Sequence, residues 1–252
     1  MDFALNEDQL ELKQAAHAWL ADRFPLDRNW ADAGSVGAGP DDRWSELSEL
    51  GWLDVAEAGL GFVEEALLLE EMGYACYPGF FLGHVAGVAS ATDTATVDPT
   101  RPFAHPEGEE TPRFRAAAAA EALGVAQRAL DLGVEHAKTR VQFGKPIGTY
   151  QAVSHPLAQT CTDVELARSL VYWAAWCVAE EDERAELAAA AAKAFATEAA
   201  VAACERSIQV HGGIGFTWEH PLHRFYKRAL WLEGFGQRPA ELRLVVANLL
   251  LP

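Results

Sequence analysis

Basic side chains are scarce in this 252-residue chain: 20 Lys and Arg stand against 37 Asp and Glu, a formal net charge of -17. A field of that sign repels phosphate backbones, so nucleic acid is not an expected partner, and an anionic ligand must be held by a few local cations. The same acidity also suits a well-solvated surface with no further role. Cysteine is equally sparse. Cys76, Cys161, Cys177 and Cys204 form no Cys-x-x-Cys pair and no Cys/His cluster, so no metal site is expected. Three of them lie in Ala- and Val-rich helical sequence, where a thiol behaves as a small hydrophobe, and a reducing, cytoplasmic setting is the expectation. The opening Met-Asp-Phe-Ala-Leu-Asn-Glu-Asp carries no basic-then-apolar leader. No uninterrupted apolar run reaches the roughly 18 residues of a membrane span. The dinucleotide fingerprint is missing too, because the glycine-rich run has the wrong spacing and no strand before it.

What is present is helical period. Leu10, Leu12, Ala16, Trp19 and Leu20 recur on one face, with Asn6 or Asp8 as caps and Pro25 as the stop. Residues 33–42 read as a loop, 42–50 as a second helix and 63–74 as a third, before Pro78-Gly79 breaks the chain. Residues 89–113 have little helical period, room for one or two strands at most, and read as a linker. Long helices are expected over 115–140, 159–180 and 185–210, and a last one over 238–251 opened by Pro239. The fold class is all-α. Residues 1–88 form an N-terminal helical domain, 89–113 the linker, and 114–252 a C-terminal four-helix bundle.

Two corners concentrate anion-binding chemistry. Arg140-Val-Gln-Phe-Gly-Lys-Pro-Ile-Gly sets Arg140 and Lys145 around a tight Phe143-Gly144 turn at a helix end. A guanidinium makes paired hydrogen bonds to phosphate oxygens, and glycine lets backbone approach. The same residues also describe a basic cap answering the helix dipole. Gln209-Val-His-Gly-Gly-Ile-Gly-Phe-Thr217 places three glycines in four positions after a long helix. That run fits either a nest of backbone N–H groups or a helix corner that needs positive φ.

The order of these stretches resembles the acyl-CoA dehydrogenase family. Arg140-Val-Gln-Phe-Gly, followed by Ile147, Tyr150-Gln151 and His155-Pro-Leu-Ala, is similar to one family signature. Gln209-Val-His-Gly-Gly-Ile-Gly-Phe-Thr, followed by Pro221 and a basic helix, is similar to another. The opening Met-Asp-Phe-Ala-Leu-Asn-Glu-Asp-Gln-Leu and the Leu-Leu-Leu-Glu-Glu-Met-Gly-Tyr stretch resemble the family as well. The resemblance implies FAD shared across a subunit interface, with its diphosphate end met by Arg140, Gln142, Phe143, Gln209, Gly212 and Gly213, with Gln151 supporting the cofactor loop, and with Gly144, Gly215 and Thr217 as further cofactor-binding positions. His155 also matches a motif position, with a structural role expected.

Two departures qualify that expectation. Family members insert a β domain of roughly a hundred residues between their helical halves, and no such length exists here. The family's usual catalytic Glu corresponds to Gly236, and the position used by a minority of members corresponds to Phe114. Neither accepts a proton. Glu233, three residues early, is a weak candidate base, and Glu121 reads as a partnered or surface acid. The resemblance therefore implies a subunit without its own base, like the shorter subunit of heteromeric, two-plus-two acyl-CoA dehydrogenases that act on bulky thioesters such as steroid side chains. A full-length partner subunit in a heterotetramer would supply the base and most of the acyl-CoA site. A homo-oligomeric flavoenzyme using Glu233, a flavin-dependent oxidase or hydroxylase, and a non-enzymatic helical protein remain alternatives. Trp218, Trp231 and Tyr226 are expected to pack inside the bundle.

Overall fold

The computed structural model describes residues 5–26, 43–87 and 110–251. Helix α1 (Glu7–Arg23) starts at Asn6, whose side-chain oxygen accepts from the Gln9 amide at 2.8 Å, while the Gln9 side chain accepts from the Asn6 amide at 3.1 Å. This reciprocal cap satisfies two donors that a helix start otherwise leaves unpaired. Helices α2 (Trp44–Glu49), α3 (Phe62–Tyr74) and α4 (Phe81–Ala86) follow. The pattern after Pro78-Gly79 gave no expectation of α4; burial of Phe81, Leu82 and Val85 forms it. The expected loop at 33–42 lies outside the described residues, as does most of the expected linker.

Helix α5 (Pro112–Thr139) begins earlier than its period suggested. Thr111 caps it by accepting from the Phe114 amide at 3.2 Å, and Pro112 occupies the first turn, where its missing N–H costs nothing. Two-residue strands β1 (Val141–Gln142) and β2 (Lys145–Pro146) pair antiparallel, Val141 with Pro146 and Gln142 with Lys145. Helix α6 (Gln151–Ala179) starts eight residues before the expected 159, because Pro156 lies inside it. A proline that close to a helix start removes a single bond, and packing on both sides of it carries the helix through. Helices α7 (Ala185–His211), α8 (Leu222–Gly234) and α9 (Pro239–Leu250) complete the chain. Residues 87–111 separate α4 from α5, and among the described residues the family's middle β domain is essentially absent.

Helices α5 and α7 pack along each other at the centre, flanked by α6 and α8, with α9 laid on α7 and α3 on α5. Small residues set these distances. A Cβ on Gly73 would overlap the Glu121 carbonyl, and one on Gly124 the Glu70 carbonyl, so α3 and α5 cross backbone to backbone. The segment Ala185–Phe216 is long and apolar enough by composition to cross a membrane, although charged residues such as Lys193 and Glu198 interrupt it. Its apolar surface is spent differently: 67% of that window is buried among the other helices. One apolar core runs from Ala16 in α1 to Phe235 after α8.

Buried charges are paired. Glu121 and Arg228, 1% and 0% exposed, meet at 2.5 Å, and Arg228 also donates to the Tyr77 carbonyl at 3.0 Å. Glu70 receives Lys13 at 2.5 Å, Arg168, and the Tyr172 hydroxyl at 2.8 Å. Burial opposes ionisation of Glu70, but Lys13 and Arg168 outweigh it and hold the carboxyl below the usual carboxylate range.

Candidate functional site

Both glycine corners lie at the same end of the bundle. Helices α5 and α7 run in the same direction, so His136 in the last turn of α5 stacks on His211 at the end of α7, with ring centroids 4.2 Å apart. His220 lies against His211 with ring centroids 4.3 Å apart, its plane tilted by 51°. Arg140 lies near enough to His136 that its charge helps lower that imidazole's pKa, after burial and His211. Burial, then the charges of His211, His136 and His223, bring His220 down to about 4.

The first corner is a tight hairpin. Phe143 and Gly144 have φ of 52° and 81°, the pair of positive angles a two-residue turn of this twist needs. The Arg140 amide donates to the His136 carbonyl at 2.9 Å, and the Ile147 amide donates to the Arg140 carbonyl at 2.8 Å. These backbone groups are therefore committed internally. What remains outward is charge. Arg140 is exposed, as is Lys138, and the Lys145 ammonium lies 4.4 Å from the centre of the Tyr150 ring. Among the described residues, no carboxylate lies within ion-pair distance of Lys138, Arg140 or Lys145. In a chain of net charge -17, three unneutralised cations at one end mark the ground on which an anion can settle. Gln142 and Gln151 are exposed beside them, and the Tyr150 hydroxyl donates to the Gln142 carbonyl at 3.1 Å.

The second corner divides its glycines by task. Gly212 has φ of 66°, and its N–H closes α7 by donating to Ile208 and Gln209 carbonyls. Gly213 faces open space, with nothing within 4 Å of an added Cβ. Gly215 is buried, and a Cβ there would lie 2.6 Å from the Ile208 carbonyl. Its role is steric. The Thr217 hydroxyl donates to the Ile214 carbonyl at 2.9 Å, and Gln209 is exposed. The histidine stack joining the corners escaped the sequence reading, although His136, one turn before Arg140, was a visible signal.

The expectation that Trp218 packs inside is wrong: it is 76% exposed, resting against His223 and the Lys227 ammonium. An indole held by a polar helix face has no apolar partner to bury it. Phe216 and Phe143 are 75% and 93% exposed at the same end. Trp231 is buried and stacked on Phe235, and Tyr226 donates to Glu205 at 3.1 Å.

Phe114 and Gly236, where the resemblance led us to expect a base, come together elsewhere. The Phe114 ring stacks on Phe235 at 4.7 Å, next to Gly236. A Cβ on Gly236 would overlap the carboxylate of Glu110. Glu233 lies apart from them, half-buried; burial first, then the charges of Glu198 and Glu205, raise its pKa. His155 is exposed on the second turn of α6. Among the described residues, no group of three or more His, Cys, Asp or Glu is placed to hold a metal ion.

Comparison with known proteins agrees along the chain. Residues 109–237 match the C-terminal domain of acyl-CoA dehydrogenases, and residues 6–95 match their N-terminal domain. Acyl-CoA dehydrogenase IpdE2 of Mycobacterium tuberculosis is 43% identical over 150 residues, which is 56% of this chain and 45% of that protein. Probable acyl-CoA dehydrogenase YngJ of Bacillus subtilis is 41% identical over 138 residues, 54% of this chain and 36% of the other. The matched region thus spans under half the length of these relatives. Among solved structures, butyryl-CoA dehydrogenase from Megasphaera elsdenii superposes with a TM-score of 0.81 at 20% identity, over 100% of both chains. The ChsE4-ChsE5 complex from Mycobacterium tuberculosis gives 0.81 at 19% identity, again over 100% of both. The Tcur3481-Tcur3483 steroid ACAD G363A variant gives 0.80 at 22%, over 96% of this chain and 97% of the other.

Proposed function

This chain belongs to the acyl-CoA dehydrogenase family, and from that premise we propose that it is the non-catalytic subunit of a heteromeric member, lending an FAD diphosphate cradle to a full-length partner that carries the catalytic base. One observation carries the reading. The three cations without ion-pair partners, Lys138, Arg140 and Lys145, gather with the open Gly213 backbone at one end of an otherwise acidic bundle. Gln142, Gln151 and Gln209 add neutral hydrogen-bonding groups there. FAD, when bound, would accept the hydride that leaves the β carbon of the thioester. This chain's residues would hold its phosphates and cover its far side. Phe114 and Gly236 stand where a base is needed, so proton removal falls to the partner.

Exposed Phe143, Phe216 and Trp218 ring the cradle, and an apolar rim of that kind suits a protein interface. Exposed Leu244, Leu249 and Leu250 on α9 offer further apolar contact for a heterotetramer. Two of the structural neighbours are heteromeric assemblies, one of them a steroid enzyme, and a bulky acyl-CoA held mainly by the partner fits a chain without its own β domain. The four cysteines, three of them buried as small hydrophobes, fit a reducing, cytoplasmic setting.

Co-expression with a full-length family member encoded beside it tests the proposal. The isolated chain is expected to be colourless and inactive. The co-purified complex is expected to show flavin absorbance and acyl-CoA-dependent dye reduction, both lost with Arg140→Ala. Full turnover by the isolated chain would sink the reading. Glu233→Gln separates the homo-oligomeric alternative: turnover of the complex is expected to stay within about twofold, less than 0.5 kcal/mol of barrier.

A further inference from the structure

The ground where positions 114 and 236 meet is filled by a third carboxylate. Glu110 lies just before α5, and its side chain is 6% exposed. One oxygen accepts the Gln237 backbone N–H; the other lies 3.1 Å from the Lys193 ammonium and 3.5 Å from the Arg115 guanidinium. Lys193 is itself 1% exposed, donates to the Phe235 carbonyl, and sits over the Phe114 ring at 5.2 Å. Arg115 is 7% exposed and donates to the Gln237 side chain at 2.7 Å and to Glu186. Two nearly buried cations and a backbone donor therefore converge on one carboxylate, from α5, α7 and the α8–α9 turn. Burial pulls Lys193 down to about 8 even with Glu110 beside it, a sign of how much the ammonium loses by leaving water.

Gly236 belongs to the same arrangement. Its φ is 70°, and the space a side chain would take there is already held by the Glu110 carboxylate. We propose that Lys193, Arg115 and the Gln237 amide form a buried site for a small carboxylate, that Glu110 occupies it from within the chain, and that this occupation closes the ground between positions 114 and 236. The meaning of the closure for catalysis rests on the subunit reading above; the site itself does not. Removing the Glu110 carboxylate leaves both cations buried around a space the size of acetate, which contains the atoms that Glu110→Ala deletes.

Thermal melts of the full chain at pH 7 test this without flavin or partner, so their outcome is independent of the co-expression experiment. Glu110→Ala is expected to lower Tm by roughly 10 °C, the scale for breaking one side of a buried ion pair. Acetate at 100 mM is expected to restore about 4 °C of that loss if it binds with a Kd of about 10 mM. Chloride at equal ionic strength restores none, the unaltered chain does not respond, and adding Lys193→Met abolishes the gain. Gly236→Ala is expected to cost less in the Glu110→Ala background than alone, since the competing carboxylate is gone. If Glu110→Ala does not fold, Glu110→Leu with Lys193→Met removes both charges, and that pair is expected to fold and to melt above Lys193→Met alone. An unchanged Tm for Glu110→Ala, equal effects of acetate and chloride, an equal Gly236→Ala penalty in both backgrounds, or a double variant no better than Lys193→Met would each overturn the proposal.

Discussion

Gly124 illustrates how much a single hydrogen can decide. Its missing side chain lets α5 approach the Glu70 carbonyl and the Tyr74 amide of α3, a contact any Cβ would prevent. Gly124→Ala is expected to part the two helices and cost about 1–3 kcal/mol, read as a Tm several degrees lower with helical content unchanged. A melting curve that did not move would mean the crossing is loose. His220 acts through its proton. Its folded pKa of about 4 lies below the free value of 6.5. Between those values the unfolded chain binds a proton that the folded chain refuses. Stability is then complete above pH 6.5 and declines as the pH falls toward 4. His220→Asn keeps an acceptor for the Leu222 amide, which His220 receives at 3.3 Å, and removes the titration. The loss of Tm between pH 7 and pH 5 is expected to be smaller in that variant; an equal loss would place the acid sensitivity elsewhere.

At the scale of helices, polar groups decide the register as much as apolar faces do. Glu121 on α5 and Arg228 on α8 are both out of water, and each is the other's charge partner. Glu121→Gln is expected to destabilise by about 3–5 kcal/mol, because the buried guanidinium loses a carboxylate at ion-pair distance. Glu121→Leu with Arg228→Met is expected to recover most of that loss in a denaturant melt, and a double variant as weak as the single would argue against the pairing. Glu121 shows where sequence reading stops. Its acid among alanines was legible, but a partner 107 residues away leaves no periodic trace. The early start of α6 was hidden for a related reason: Pro156 reads locally as a boundary, and only packing along α5 and α7 overrides it.

At the scale of the whole molecule, the proposed subunit role requires a partner to cover the end that carries the Arg140 hairpin. Phe143, Phe216 and Trp218 expose three large rings there, and none is needed to close the core. Phe143→Ser with Trp218→Ser is expected to leave Tm within about 2 °C of the unaltered chain. The same pair should weaken co-purification with the partner at least tenfold, about 1.4 kcal/mol of association. Tm falling with the association would assign the rings to stability instead. Trp218 was misjudged in the sequence because an indole in a motif reads as core, while its burial depends on which helix face the turn after α7 presents.

The amino-acid order by itself determined the long helices apart from the start of α6, the cap at Asn6, the hairpin turn at Phe143-Gly144 and the family motifs, because each of these is written in neighbours within about a turn of one another. Tertiary structure alone decided that α5 and α7 end together, so that the corners of Arg140 and Gly213 are joined by the stacked imidazoles of His136 and His211. It alone brought Glu110 into the space beside Gly236. Contacts between residues a hundred or more positions apart depend on how whole helices pack, and no local pattern encodes the direction in which two of them finally lie.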